Sequence, residues 1–175
     1  MSSKTISVSE LMNRNVQTDF EDQNIMSACN IMYTNDIGSV IIVTRNDDRS
    51  PVGIITERDV VRILGKLNSD LLNTPLNTLM SKPLIPIEES ATVSDAGKLL
   101  ITKKIRRLVV LDRNNKMCGI LTQNDIFRAI DKNPNLFSEF YGEAFSSKFK
   151  EINEKFNQYR KERLMPEFDQ YQSED

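Results

Sequence analysis

Two short segments of this 175-residue chain carry side chains whose types and spacing could bind a ligand. In each, an aspartate follows a threonine by three residues: Asp59 follows Thr56, and Asp125 follows Thr122. Each threonine ends an apolar run and precedes a helical pattern, which is typical of a helix N-cap. A helix start presents unpaired N–H groups that favour a phosphate. A carboxylate one turn further on can accept hydrogen bonds from a cis-diol.

The same spacing has a purely structural interpretation. Thr-x-x-Asp is also a variant of the capping box, in which the aspartate accepts a hydrogen bond from the backbone N–H of the threonine. A cap of this kind contributes about 0.5–2 kcal/mol to stability, which would by itself explain both residues. The sequence leaves both interpretations open.

Other side chains with reactive chemistry are sparse. The chain contains no histidine, which removes the commonest general base, the commonest metal ligand and every Ser/His or Cys/His pair. Cys29 and Cys118 lie in separate apolar runs, which predicts buried free thiols in a reducing cytosol. The sequence offers no nucleophile–base pair, metal-ligand cluster or glycine loop for phosphate. We therefore predict a cytoplasmic protein that is not an enzyme, binds no metal and needs no cofactor.

Composition and charge narrow the class further. Apolar residues make up 39 % of the chain and charged residues 27 %, which is ordinary for a soluble globular protein. The formal net charge of −2 argues against a nucleic-acid-binding protein, which usually carries a basic excess. No apolar run approaches the roughly 18–20 residues that a membrane span needs, and the first residues lack the apolar core of a secretory signal. We expect neither nucleic acid nor membrane as a partner.

The two Thr-x-x-Asp segments belong to an internal repeat. Residues 53–59, GIITERD, return 66 positions later as residues 119–125, GILTQND. Upstream, Leu11-Met12 recurs as Leu79-Met80 with an offset of 68. The two-residue difference falls in a polar stretch between apolar runs, where hairpin loops absorb insertions at little cost. The chain therefore contains a duplicated unit.

Both copies have the same pattern of apolar residues. An apolar-periodic helix comes first, beginning near Ile25 in copy one and near Val93 in copy two. Two apolar strands joined by a polar hairpin follow, and a second helix closes the copy. The pattern predicts helix–strand–strand–helix units at residues 8–66 and 76–131. A unit of about 60 residues buries too little surface alone, so we expect the two to pack together.

This pattern resembles the cystathionine-β-synthase (CBS) domain, and a tandem pair is similar to a Bateman module of the stand-alone prokaryotic type. The resemblance rests on the duplicated Gly-hydrophobic-hydrophobic-Thr-x-x-Asp with its preceding helix and strand, and it covers residues 8–131. It implies an α/β (α+β) fold in which two units form a compact pair about a pseudo-two-fold axis. The pair has two clefts, which in that family commonly bind AMP, ADP, ATP or related adenosyl compounds as regulatory ligands.

The resemblance also implies which residues line the clefts. The motif aspartate would hold the ribose hydroxyls and the threonine would assist near ribose or phosphate, which assigns these roles to Asp59 with Thr56 and to Asp125 with Thr122. Further positions that the family uses lie before the first apolar strand, within the motif and after the Leu-Met pair. In this chain they are occupied by Thr18, Ile37, Gly38, Ser39, Ile55, Arg58, Pro86, Ile105, Arg106, Arg107, Leu121 and Asn124.

The two copies differ at these positions. Small residues around Gly38 would let a base approach the backbone closely. Arg106 and Arg107 stand at the corresponding place in copy two, where they could reach a phosphate or form a solvated basic cluster. Arg58 in copy one corresponds to Asn124 in copy two. We therefore expect unequal clefts, with AMP or ATP bound more tightly beside Asp59.

The segment after the repeat has a pattern of its own. Apolar residues, all of them aromatic except Ile152, recur mostly at steps of three and four from Phe137 to Tyr159, which predicts an amphipathic helix over residues 134–165. Its aromatic face must be covered, either by the chain's own CBS pair or by a second copy or another protein. Residues 166–175 are polar and acidic and are predicted to form a flexible tail.

Two functions fit these observations. The first is a non-catalytic regulatory sensor that binds AMP, ADP or ATP and signals to a separate, unidentified effector protein by conformational change. Members of the CBS family usually dimerise, so the resemblance implies a homodimer. The second is a ligand-free oligomerisation or docking module that works through the aromatic C-terminal helix.

Overall fold

The computed structural model describes residues 6–46, 48–65, 73–132, 136, 154 and 158. The chain divides into two compact units, residues 1–127 and residues 128–175. Both strand-to-helix corners of the repeat belong to the first unit. The helix predicted over residues 134–165 lies almost entirely outside the described residues, and the predicted tail lies wholly outside them. Across the described part of the chain, no helix is both long and apolar enough to cross a bilayer.

Each copy of the repeat consists of three helices and three strands among the described residues. Copy one contains α1 (Val8–Leu11), β1 (Thr18–Phe20), α2 (Ile25–Asn35), β2 (Ser39–Val43), β3 (Pro51–Thr56) and α3 (Glu57–Leu64). Copy two contains α4 (Leu76–Leu79), β4 (Pro86–Glu88), α5 (Val93–Lys103), β5 (Arg107–Leu111), β6 (Met117–Thr122) and α6 (Gln123–Lys132). The predicted α/β class is confirmed, and each copy has an additional short helix and short strand at its start.

Every copy builds its own three-stranded sheet. In copy one, β1 runs parallel to β2, and β2 runs antiparallel to β3. In copy two, β4, β5 and β6 repeat this order and these directions. The central strand is buried in both sheets, which explains why the sequence there is continuously apolar rather than alternating.

The first long helix of each copy begins and ends in the same way. Asn24 before α2 and Thr92 before α5 accept a hydrogen bond from the backbone N–H three residues further on, as N-caps do. Asp36 and Lys104 end these helices in the left-handed region, with φ of 51° and 54°. A left-handed residue stops the helix and turns the chain into the strand that follows. Asp36 and Lys104 therefore occupy equivalent places but carry opposite charges.

The two copies exchange their first helices. Helix α4 of copy two packs on β3 of copy one, where Ser81 and Ile54 exchange two backbone hydrogen bonds of 2.9 and 3.1 Å. Helix α1 of copy one packs on β6 of copy two, where Asn13 and Ile120 exchange bonds of 2.9 and 3.0 Å. Leu76, which belongs to copy two, is consequently fully buried in the core of copy one. Neither copy has a complete core without the other.

A further apolar layer joins the two copies. Ile41 and Val43 of β2 are buried together with Val109 of β5, and partly buried apolar side chains from both copies surround them. This layer and the exchanged helices give each copy an equivalent environment. The expected pairing of two units about a pseudo-two-fold axis is therefore confirmed.

Candidate ligand-binding cleft

The corner between β3 and α3 contains the capping box that the sequence allowed. The backbone N–H and the hydroxyl of Thr56 both donate to Asp59 Oδ2, at 2.9 and 2.6 Å. The backbone N–H of Asp59 donates in return to Thr56 Oγ1 at 3.3 Å. The second carboxylate oxygen, Oδ1, accepts a hydrogen bond from the Ser81 hydroxyl at 3.3 Å and lies 3.8 Å from the guanidinium of Arg62. One oxygen thus holds the helix start, and the other contacts side chains of a cleft.

This cleft is a cavity of about 370 Å³ beside the corner. Copy one contributes residues of β3 and α3, and copy two contributes the segment after α4 and the segment that leads into β5. The lining residues are Ile54, Thr56, Arg58, Asp59, Arg62, Ser81, Pro83, Leu84, Ile85, Lys104, Ile105, Arg106, Arg107, Leu108, Val109 and Ile120. The volume falls in the range of about 300–1,000 Å³ that is usual for small-molecule sites.

Positive charge predominates in this cleft, which we call the Asp59 cleft. Arg107 is half-buried there, and burial lowers its pKa, as does the neighbouring charge of Arg106. Glu57 and Asp59 act in the opposite direction and raise the pKa of Arg107. A guanidinium stays protonated at neutral pH despite such shifts. From the residues that the structure describes, the cleft therefore offers its ligand one carboxylate, Asp59, and a cationic wall.

Arg107 also links the two copies directly. Its Nη2 donates to the carbonyl of Gly38 at 3.2 Å, and the same carbonyl accepts from the backbone N–H of Glu57 at 3.3 Å. A Cβ at Gly38 would lie 2.8 Å from both Arg107 Nη2 and Glu57 Oε2. The sequence suggested that a small residue here admits a base. In this structure the groups that approach Gly38 are the guanidinium of Arg107 and the carboxylate of Glu57.

The corner between β6 and α6 is built in the same way but differs in charge. The backbone N–H and the hydroxyl of Thr122 donate to Asp125 Oδ2 at 2.8 and 2.7 Å, and the Asp125 N–H donates to Thr122 Oγ1 at 3.2 Å. Four cations of the Asp59 cleft have uncharged or acidic equivalents in the repeat. The pairs are Arg58 with Asn124, Lys104 with Asp36, Arg106 with Gly38, and Arg107 with Ser39. The two corners thus share their caps but not their electrostatics.

Six of the predicted site residues lie together in the Asp59 cleft. They are Thr56, Arg58, Asp59, Ile105, Arg106 and Arg107. Three others, Thr122, Asn124 and Asp125, form the second corner. The structure places the rest elsewhere: Thr18 lines a cavity beside the two hairpins, Ile37 and Gly38 line a groove beside α2 and α3, Ser39 pairs with Thr56, and Pro86 is exposed at the start of β4.

Ile55 and Leu121, which the sequence predicted beside a ligand, have side chains that are fully buried in the core. Successive side chains of a strand point to opposite faces, so the residues that line the cleft are their predecessors, Ile54 and Ile120. Because all four residues are apolar, the sequence shows no alternation that could distinguish the two faces.

Several lining residues were not predicted at all. Arg62 follows Asp59 by three residues and therefore lies on the same side of α3, a spacing that could have indicated it. Ser81 and residues 83–85 reach the cleft only because α4 packs on the other copy. No local pattern in the sequence signals that exchange.

The chain resembles known proteins in both sequence and fold. The family model described as CBS domain matches residues 8–66 and residues 76–132. The chain therefore belongs to the CBS domain family and contains two of its domains, which confirms the resemblance read from the repeat.

Its relatives include uncharacterised and ligand-bound proteins. The uncharacterized protein MK0525 of Methanopyrus kandleri is 37 % identical to this chain over 125 residues. These residues make up 71 % of this chain and 63 % of that protein. The match therefore spans less than two thirds of that relative. The CBS domain protein PAE2072 from Pyrobaculum aerophilum, solved in complex with AMP, is 25 % identical with a TM-score of 0.63 over 69 % of this chain and 89 % of that one. The CBS domain pair of protein MJ0100, solved with 5′-methylthioadenosine and S-adenosyl-L-methionine, has the same fold at 23 % identity, with a TM-score of 0.65 over 73 % of this chain and 98 % of that one.

Proposed function

We propose that this protein is a non-catalytic sensor that binds an adenine nucleotide (AMP, ADP or ATP) in the Asp59 cleft and signals to a separate protein. The observation that carries the proposal is a carboxylate opposite a cationic wall within one cavity of about 370 Å³. A ribose diol can take the place of the Ser81 hydroxyl as hydrogen-bond donor to Asp59 Oδ1. Arginine forks suit the phosphate. The AMP bound by the related protein from Pyrobaculum aerophilum supports an adenosyl ligand.

The apolar lining gives a base a place to bind. Ile54 and Ile120 come from corresponding strands of the two copies, and Leu84 and Val109 lie in the same cleft. Small-molecule sites are commonly lined by apolar side chains with a few polar groups that fix orientation. An adenine ring would bury its faces here, while its ribose contacts Asp59 and its phosphates contact the arginines.

Signalling would follow because residues of both copies line the cleft. Copy one supplies Asp59, and copy two supplies the segment from Lys104 to Arg107, so a bound nucleotide contacts both copies at once. A ligand shifts a conformational equilibrium only when its affinity differs between the two arrangements. A nucleotide that bridges the copies would favour the arrangement in which both walls reach it, and an effector would respond to that arrangement.

We also propose that the protein forms a homodimer. Tyr33 of α2 and Val61 of α3 are 87 % and 68 % exposed, and their equivalents in copy two, Ile101 and Phe127, are 62 % and 66 % exposed. Large apolar side chains that are exposed at equivalent positions of both copies form two related patches. Isologous contact with a second copy would cover both. The alternative docking function through the aromatic helix concerns residues outside those described.

Thermal unfolding in the presence of nucleotides tests the sensing role. At 100 times its Kd, AMP or ATP is expected to add about 2.7 kcal/mol to the free energy of unfolding and to raise Tm by about 5–10 °C. Asp59→Asn should remove most of this shift. Asp125→Asn is the matched control, because it removes the same charge from the capping box of copy two and should leave most of the shift intact.

The panel of ligands decides between the two functions. It contains AMP, ADP, ATP, S-adenosylmethionine and NAD. If none of them changes Tm, the sensing role is contradicted and the docking module is favoured. If the shift survives Asp59→Asn and disappears with Asp125→Asn, the nucleotide binds at the other corner.

A further inference from the structure

The Asp59 cleft holds more positive charge than one phosphate group requires. Among the described residues, five cationic side chains and one carboxylate, Asp59, line it; the five cations are Arg58, Arg62, Lys104, Arg106 and Arg107. Two of these cations already have partners in the protein. Arg107 donates to the carbonyl of Gly38, and Arg62 lies 3.8 Å from Asp59 Oδ1.

In the part of the chain that the structure describes, three cations of this cleft lack such a partner. Within the described residues, Arg58, Lys104 and Arg106 make no ion pair or side-chain hydrogen bond, although they line the same cavity. Like charges gathered around one cavity repel one another, and an anion between them removes that repulsion. The three side chains come from both copies, so their convergence results from how the copies pack.

The repeat supplies an internal control for this arrangement. If a cationic cluster were a general feature of the fold, the equivalent positions of the other copy would carry cations too. They carry instead Asn124 for Arg58, Asp36 for Lys104 and Gly38 for Arg106. The helix ends at Asp36 and Lys104 have the same left-handed geometry, so the backbone is conserved between copies while the charge is reversed.

We propose that the Asp59 cleft selects nucleoside di- and triphosphates over the monophosphate and over cationic sulfonium nucleosides. This inference rests on the proposed function, because the ribose at Asp59 fixes where the phosphate chain begins. Arg58 lies in the first turn of α3, and Lys104 and Arg106 line the same cleft from copy two. Each additional phosphate brings negative charge to a further unpartnered cation. The same cations repel a positively charged sulfonium ligand.

The solvent exposure of these three side chains limits how strongly the cleft can favour ATP over AMP. Arg58, Lys104 and Arg106 are all exposed to solvent, so each contact with a phosphate is screened. We expect ATP to bind about 5- to 30-fold more tightly than AMP at low ionic strength. The ratio should decrease as salt is added, because screening weakens the contacts of the outer phosphates more than those of the ribose and base.

Isothermal titration calorimetry of the full chain with AMP, ADP, ATP and S-adenosylmethionine tests the selectivity. The double variant Arg58→Gln/Arg106→Gln is expected to reduce the ATP-to-AMP affinity ratio to about 1–3, since both changes remove cations that the monophosphate uses least. Lys103→Gln is the matched control, because it also removes an exposed cation, next to Lys104, at a position outside the cleft lining. It should leave the ratio unchanged.

The possible outcomes distinguish a failure of the proposed selectivity from a failure of the proposed sensing function. If AMP binds in a manner that depends on Asp59, but ATP binds no more tightly, the selectivity is wrong and the sensing role stands. Tighter binding of S-adenosylmethionine than of ATP would overturn the selectivity as well. If no ligand binds, both proposals are wrong. Circular dichroism of each variant confirms that it is folded, which is expected because all three substituted side chains are exposed.

Discussion

Leu76→Ala is expected to lower the free energy of unfolding by about 2–5 kcal/mol. Leu76 belongs to copy two by sequence, but it is fully buried in the core of copy one, in a cluster that includes Ile25, Val40 and Ile55. Truncation would leave a cavity within this cluster. The surrounding strands are held by their hydrogen-bond ladders and can close such a cavity only in part.

Urea unfolding followed by circular dichroism measures this effect. Leu64→Ala is the matched control, because Leu64 is 56 % exposed at the end of α3 and its truncation should change stability by about 0.5 kcal/mol or less. Both variants should unfold in a single transition, since each copy depends on the other for its core. Two separate transitions, or a Leu76→Ala cost no greater than that of Leu64→Ala, would mean that the copies fold independently.

Gly53→Ala is expected to destabilise the protein by about 1–3 kcal/mol through overpacking. A Cβ at residue 53 would lie 2.6 Å from Cγ and 3.0 Å from Cβ of Met80. Met80 follows α4 directly and is packed in the core of copy one, so its Cβ has little freedom to move. The glycine that opens the repeated motif therefore accommodates the methionine of the other copy. The glycine of the motif and the methionine of the Leu-Met pair, the two most conspicuous features of the repeat, therefore contact each other.

A double-mutant cycle tests this explanation of the motif. Met80→Ala alone removes buried volume and is expected to cost about 2–5 kcal/mol. Combined with Gly53→Ala, it removes the clash, so the double variant should be less destabilised than the sum of the two single variants by about 1 kcal/mol or more. The equivalent pair in copy two is Gly119 with Met12, where a Cβ would lie 3.0 Å from Met12 Cγ. Additive costs in both pairs would show that the glycines have another purpose.

The features of the fold that the sequence predicted are those with local causes. Apolar periodicity indicated α2 and α5, and continuous apolar runs indicated the buried strands β2 and β5. The strands β1 and β4 have only three residues each, too few to show a period of two. The exchange of α1 and α4 depends on which surface each short helix covers, and the sequence within one copy carries no information about that choice.

The sequence indicated which side chains could contact a ligand, but it did not indicate which of them come together in one cleft. Thr56 and Asp59 were read either as a cap or as a ligand contact, and the geometry allows both, since Oδ2 caps the helix while Oδ1 contacts Ser81 and Arg62. The sequence associated Arg106 with phosphate binding, but its position in the repeat gave no sign that it lies near a residue of the other copy. It lines the same cleft as Asp59 because the apolar layer between the sheets brings β5 against β2. Contacts between copies follow from packing, which no single motif encodes.

The proposed sensing role requires that the Asp59 cleft bind an adenine nucleotide through its ribose. A crystal structure of the full chain grown with ADP tests this requirement directly. We expect the nucleotide in the cleft, with a ribose hydroxyl about 2.5–3.0 Å from Asp59 Oδ1 and the outer phosphate beside Arg58 and Arg106. An ADP molecule bound only at the Thr122–Asp125 corner, or a ribose that makes no contact with Asp59, would contradict it.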